Sequence, residues 1–296
     1  MRIVSLLPSA TEIVYALGLG DDLVGVTYEC DYPPEATSKP VVVKSALPQG
    51  RPLSSREIDE EVRDRMNRQE PIYVLEKELI QQLEPDVILT QDLCRVCAVP
   101  SGQVQEALEE IGVRDAKVLS LDPHTFDEVL EGIRAVGTTL GRAERAGEIV
   151  GALRARVEAV RAKAVRLPSI RVLCQEWLDP PFAAGHWVPE MVALAGGREV
   201  LGRTGGPSFP VTWDDVAAAG PEVVVVAPCG FGAERAAAES AGIRFPCRAV
   251  AVEADSYYSR PAPRLAYGVA QLAHILHPGA APDPGLPAVA LEAAWA

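Results

Sequence analysis

Short unbroken apolar runs alternate with amphipathic stretches from the first residues onward. Arg2–Leu7 carries Ile and Val in a run typical of a strand buried on both faces. Ser9-Ala10-Thr11-Glu12 reads as a capping box, with Ser9 as the cap and Glu12 three residues on. Ile13, Val14 and Leu17 follow at helical spacing as far as Gly18-Leu19-Gly20. Leu23–Thr27 and Val41–Val43 read as strands and Glu76–Leu83 as a helix. Val87–Thr90 reads as a buried strand after Pro85-Asp86, Val104–Ile111 as a helix and Lys117–Leu121 as a strand. Such alternation predicts a parallel sheet with helices on both faces.

From Thr125 to Val165 the pattern changes, with helix formers at helical periodicity and no strand signal. Glu144–Arg166 predicts one helix of roughly 20 residues, about 30 Å long, enough for a stiff connector. After Leu167-Pro168 the alternation resumes. Arg171–Gln175, Val223–Ala227 and Arg248–Val252 read as strands. Pro189–Ala195, Trp213–Ala218, Ala233–Ala241 and a segment from Pro263 to about Leu276 read as helices. The joins Glu84-Pro85-Asp86-Val87-Ile88 and Gly220-Pro221-Glu222-Val223-Val224 are alike in kind. The expectation is an α/β fold of two Rossmann-like lobes with parallel sheets, residues 1–123 and 168–278. A long rigid helix within 124–167 joins them, a ligand cleft lies between the lobes, and an Ala/Pro-rich tail, 279–296, is loosely ordered.

Composition narrows the function classes. Lys and Arg number 28 against 41 Asp and Glu, a net charge of −13 over 296 residues, which repels phosphate backbones and argues against nucleic acid. No apolar stretch is long enough to span a bilayer, so no membrane insertion is expected. The N-terminus reads as a first strand and not as a leader, which predicts a cytoplasmic chain with reduced thiols. A true start codon lying upstream would place it in the periplasm or at the cell surface instead.

Aromatics make up only 5% of the chain, yet half of them fall in the loops that follow strands. These loops are Thr27–Tyr32, Gln91–Cys97, Glu176–Phe182, Gly185–Trp187, Pro228–Phe231 and Asp255–Arg260. Aromatic walls with a few polar tips suit a flat, partly apolar ligand. Trp177 and Trp213 read better as core. The Cys94-x-x-Cys97 pair leaves three readings open: structural thiols, a metal contact or redox chemistry. His186, between Gly185 and Trp187, joins Cys94 and Cys97 as a candidate metal ligand, whereas His124, His274 and His277 read as caps or surface residues. No Ser-His-Asp order, phosphate loop or His-Glu-x-x-His string occurs, so no catalytic residue is assigned.

Several of these strings together resemble one family. They are Leu7-Pro8-Ser9-Ala10-Thr11-Glu12, Cys30-Asp31-Tyr32-Pro33-Pro34-Glu35, the strand after Pro85-Asp86, Pro180-Pro181-Phe182 with Gly185, and Ser259-Arg260-Pro261-Ala262-Pro263-Arg264. The chain is similar, over about residues 2–277, to the cobalamin-binding substrate receptors of ABC importers, within the wider group of iron-siderophore and haem receptors. The resemblance implies a non-catalytic binder of cobalamin or a related corrinoid that needs no cofactor. It places Tyr28, Asp31 and Tyr32 on one wall of the cleft and Phe182, Gly185, Tyr257 and Tyr258 on the other, with His186 and Trp187 bordering the same space. It also implies an ABC permease as partner, engaged through one surface carboxylate per lobe. Glu78 is the candidate on the first lobe, although a solvated helix residue is the simpler reading. The stretch near Ser259 offers no acid on the second. The alternatives are a cytosolic tetrapyrrole- or corrinoid-handling enzyme, chelatase-like or thiol-dependent, and a binder of haem or another metal chelate.

Overall fold

A computed structural model describes residues 1–93 and 99–291. The chain divides into two compact units. The first comprises Met1–Pro52, Glu60–Pro123 and Leu130–Ile149, and the second Leu53–Asp59, His124–Val129 and Val150–Ala296.

The first unit is built from β1 (Ile3–Ser5), α1 (Pro8–Ala16), β2 (Leu23–Thr27), β3 (Val41–Ser45), most of α2 (Ser55–Arg68), β4 (Tyr73–Leu75), α3 (Lys77–Leu83), β5 (Val87–Thr90), α4 (Ser101–Glu110) and β6 (Lys117–Ser120). Its sheet runs β4-β3-β2-β1-β5-β6. Every pairing is parallel except β3 with β4. Ile3, Val4, Ile88 and Leu89 on the central strands are fully buried, as runs apolar on both faces require. The start of α1 differs from the expected capping box. Pro8 opens the helix, Leu7 is its cap without a side-chain bond, and Ser9 and Glu12 are buried. A proline at the first helical position lacks only an N–H that has no intrahelical partner anyway.

α5 (Phe126–Thr139) and α6 (Ala143–Ala164) fill the strand-free middle, and α6 passes from the first unit to the second at Ile149 and Val150. The second unit continues with β7 (Ile170–Trp177), β8 (Phe182–Ala183), α7 (Val188–Leu194), β9 (Gly197–Glu199), β10 (Phe209–Pro210), α8 (Trp213–Ala219), β11 (Val223–Val226), α9 (Ala233–Glu239), β12 (Arg248–Val252), α10 (Leu265–Leu276) and β13 (Ala288–Leu291). Its sheet runs β10-β8-β7-β11-β12-β13, with β9 also paired to β7. The centre, β7-β11-β12, is parallel, while β8, β10 and β13 add antiparallel pairs at the edges. Leu173, Val224, Val226, Phe231 and Phe245 form its core, with Trp177 and Trp213 packed against it. Trp177 meets Phe231 edge-on at 5.3 Å, and Trp213 meets Phe245 at 5.7 Å.

Part of the tail expected to be loose is held in the sheet. Residues 288–291 pair antiparallel with β12, and Gln271 of α10 donates to the carbonyls of Leu286 and Pro287 just before them. No helix among the described residues is long and apolar enough to cross a membrane.

Candidate functional site

In the first unit, the loop leaving the carboxyl end of β2 carries Tyr28, Asp31 and Tyr32. All three are exposed. The Tyr28 hydroxyl donates to Glu29 Oε1 at 3.0 Å. Partial burial and the Glu29 carboxylate push its pKa upward, so the phenol stays protonated. Beneath the loop, buried Cys30 contacts the hydroxyls of Thr11 and Thr27 at 3.1 and 3.3 Å, an anchor and not a reactive thiol. Cys94 and Cys97, the expected metal or redox pair, lie outside the described residues. Glu78 is exposed as the second residue of α3.

In the second unit, the expected residues divide into two kinds. Trp187 and Tyr258 belong to the interior instead of a wall, with relative exposures of 5% and 1%. Trp187 Nε1 donates to the Tyr258 carbonyl at 2.8 Å, and the Tyr258 hydroxyl donates to Gln271 Oε1 at 2.9 Å. A buried aromatic N–H or O–H must find an acceptor, and these two find it inside the unit. Phe182 on β8, His186 and Tyr257 are half-buried and keep part of their rings accessible. Tyr257 sits in a π-helical turn, Asp255–Ser259, closed by a largely buried Arg260–Asp255 ion pair at 2.8 Å. The Arg264 guanidinium lies 5.6 Å from the centre of its ring.

Gly185 is buried for a steric reason: a Cβ there would stand 2.3 Å from Ser208 N and 2.5 Å from Gly206 O. That close approach lets His186 N donate to Gly206 O at 2.6 Å and Gly205 N donate to His186 O at 3.0 Å. Together they hold His186 at φ +49°, a left-handed conformation that costs a non-glycine residue energy. His186 touches Trp187 at 5.8 Å between ring centres and His124 at 5.9 Å.

His124, expected as a cap or surface residue, is exposed, and its ring stands beside that of His186. Two residues were not singled out by the sequence. Glu199, on β9, is a half-buried residue whose carboxylate accepts the N–H groups of Cys174, Val200, Leu201 and Gly202 at 2.9 to 3.2 Å. Burial raises its pKa to about 7 despite those bonds. Asp214 is exposed as the second residue of α8, the place Glu78 holds in α3. A signal existed for Asp214, because Thr212 and Asp215 form a capping box that fixes where α8 begins. Among the described residues no group of three or more His, Cys, Asp and Glu gathers to hold a metal. A groove of about 520 Å³ lies elsewhere in the second unit, along α6, α10 and residues 280–284. Alanine is its commonest lining residue, and it includes none of the candidate residues.

Residues 3–243 match the family model described as periplasmic binding protein. A vitamin B12-binding protein of Yersinia pestis (strain Pestoides F) is 26% identical over 275 residues, covering 92% of this chain and 84% of its own. One from Vibrio cholerae serotype O1 is 27% identical over 225 residues, 75% and 69% of the two chains. The solved periplasmic vitamin B12-binding protein BtuF of Vibrio cholerae superposes with a TM-score of 0.65 at 25% identity, over 93% of this chain and 96% of that one. The fold is shared with the periplasmic heme-binding protein RhuT from Roseiflexus sp. RS-1, with a TM-score of 0.67 at 24% identity over 94% and 98%. The cytoplasmic expectation finds no support here, since both of these solved proteins are described as periplasmic. The chain belongs to the periplasmic binding protein family, whose members are non-enzymatic substrate-binding proteins of ABC importers that take their ligands as substrates and not as cofactors.

Proposed function

We propose that this protein binds cobalamin or a related corrinoid, outside the cytoplasm, for delivery to an ABC permease. The observation that carries the reading is the match to vitamin B12-binding proteins over as much as 92% of the chain. Family membership removes the chelatase-like and thiol-dependent alternatives. The residues supporting it are the accessible ones: Tyr28, Asp31 and Tyr32 on the first unit, and Phe182, His186 and Tyr257 on the second. Corrin amides need hydrogen-bonding tips and the ring edge needs apolar cover, and tyrosine supplies both. Trp187, Tyr258 and Gly185 act behind that surface by holding its backbone in place.

Calorimetry with cyanocobalamin and aquacobalamin tests the reading. Both are expected to bind, and Tyr28→Ala and Tyr257→Ala each to weaken binding by about 1–3 kcal/mol, the scale for losing an aromatic anchor. Silence with both corrinoids sinks the proposal. Heat with haemin alone moves the ligand to haem while keeping the class of metal-bearing rings.

For the permease, Glu78 is the docking carboxylate on the first unit and Asp214 its counterpart on the second. Each is the exposed second residue of a seven-residue helix that ends in a left-handed cap, Glu84 at φ 40° and Gly220 at φ 59°. Each helix leads through Pro85 or Pro221 into the central strand β5 or β11.

A further inference from the structure

We propose that His124 and His186 form a two-imidazole site for a borderline first-row divalent ion such as Zn²⁺, which shares His186 with the corrinoid surface but does not rest on that reading. Both residues belong to the second unit, and their ring centres are 5.9 Å apart. With a metal–nitrogen bond of about 2.0–2.1 Å, two imidazoles on one ion have ring centres roughly 4.5–6.4 Å apart, depending on the angle between them. The observed separation lies inside that span.

The chemistry of each ring fits. His124 Nδ1 lies 3.2 Å from the Gly205 carbonyl oxygen. A carbonyl can only accept, so Nδ1 carries the proton and Nε2 keeps its lone pair. This is the tautomer in which metal-binding histidines are commonly fixed by a backbone carbonyl. His186 is half-buried, with part of its ring left accessible.

The surroundings are also arranged in advance. His124 N and Thr125 N donate to Glu128 Oε2 at 2.6 and 3.1 Å, and Phe126 N donates to Glu190 Oε2 at 2.6 Å. Glu190 lies in the first turn of α7, directly after His186-Trp187. The segment bearing His124 is thus pinned to the segment bearing His186 at two points, Gly205 and Glu190. On the other side, His186 is kept at positive φ by its two backbone bonds to Gly205 and Gly206. Strain of that kind persists only where the surrounding structure enforces it, and it clusters at functional positions.

Imidazole nitrogen selects Zn²⁺, Ni²⁺ or Cu²⁺ over Mg²⁺ and Ca²⁺. Because no third ligand gathers among the described residues, water takes the remaining positions and the ion keeps exchangeable sites. An open site of that kind suits binding and release more than structural stapling.

Imidazole nitrogen NMR on the full ¹⁵N-labelled chain reads the site directly. Without metal, His124 is expected to show the Nδ1–H tautomer. On titration with Zn²⁺, His124 Nε2 and one ring nitrogen of His186 are expected to shift together, while His274 and His277 stay in place. His186→Asn removes one ligand but keeps a residue that tolerates the left-handed backbone, and in it the His124 shift is expected to vanish. His124→Gln, in an exposed segment, gives the reciprocal reading at His186. The proposal is overturned if Zn²⁺ leaves both rings unmoved, or if the response of either ring survives loss of the other.

Discussion

Glu199 occupies a position where a carboxylate is costly. Burial disfavours its charge, four backbone N–H groups favour it, and the balance leaves a pKa near 7 against an ordinary value of 4.5. The folded protein therefore holds a proton on Glu199 that the unfolded chain has already released between those two values. The sign follows: this group's contribution to stability is fully present below about pH 4.5, falls as pH rises through the window, and is gone above about 7. The slope from one proton is at most about 1.4 kcal/mol per pH unit. Thermal unfolding of Glu199→Gln and the parent from pH 4 to 8 isolates it, since the difference between the two must change with pH only inside that window. A pH-independent difference would remove the titration from Glu199. The same carboxylate bonds Gly202 N, and Arg203 N bonds Ala184 O at 3.0 Å next to Gly185.

At the scale of elements, packing between α10 and the Asp255–Ser259 turn rests on a missing side chain. A Cβ on Gly268 would lie 2.2 Å from the Tyr257 carbonyl oxygen and 2.9 Å from Met191 Cε. Methionine can yield, but the turn backbone cannot. Gly268→Ala is expected to cost about 1–3 kcal/mol, despite the better helix propensity of alanine, and to weaken ligand binding by displacing Tyr257. An unchanged melting temperature would show that the contact is relieved cheaply. Which elements could be read from sequence follows from the same physics. β5 and β11 are unbroken apolar strands buried along their whole length, and both were legible as parallel centres. α2 was not, because its only regularly spaced apolar residues are Ile58, Val62 and Met66, and Met66 is exposed. Its start was nevertheless marked, since Ser54 and Glu57 cap each other. β13 could not be read at all: Ala-Val-Ala-Leu becomes a strand only because β12 offers it an open edge. The candidate site follows the same rule. The aromatic loops were legible by their composition, but nothing local distinguishes Tyr257, which keeps an accessible ring, from Tyr258, whose hydroxyl turns inward to Gln271. The pairing of His124 with His186 joins distant segments and depends on a Gly205 carbonyl that no periodicity predicts.

At the scale of the molecule, the two units repeat one device. Arg2 N donates to Asp86 Oδ2 at 2.7 Å in the first, and Arg171 N donates to Glu222 Oε2 at 2.9 Å in the second. Asp86 N and Glu222 N each return a bond of 2.8 Å to the carbonyl of the same arginine, and the arginine Nε donates to Leu83 O in one unit and Gly220 O in the other. α3 with β5 and α8 with β11 are therefore equivalent in hydrogen bonding as well as in order. The equivalence is what identifies Asp214 as the counterpart of Glu78, since both carboxylates are exposed at the same turn of the repeated helix. Exposed charges of this kind set encounter and orientation with a partner and contribute little to the fold. Charge reversal at Glu78 or Asp214 is accordingly expected to leave the stability within about 0.5 kcal/mol of the parent and corrinoid calorimetry unchanged. Uptake by the cognate permease in proteoliposomes is expected to fall by about tenfold or more for each single reversal, more steeply at low salt. If Glu78→Lys fails and Asp214→Lys transports normally, the second docking carboxylate lies elsewhere on the second unit, and the repeat is a feature of folding alone.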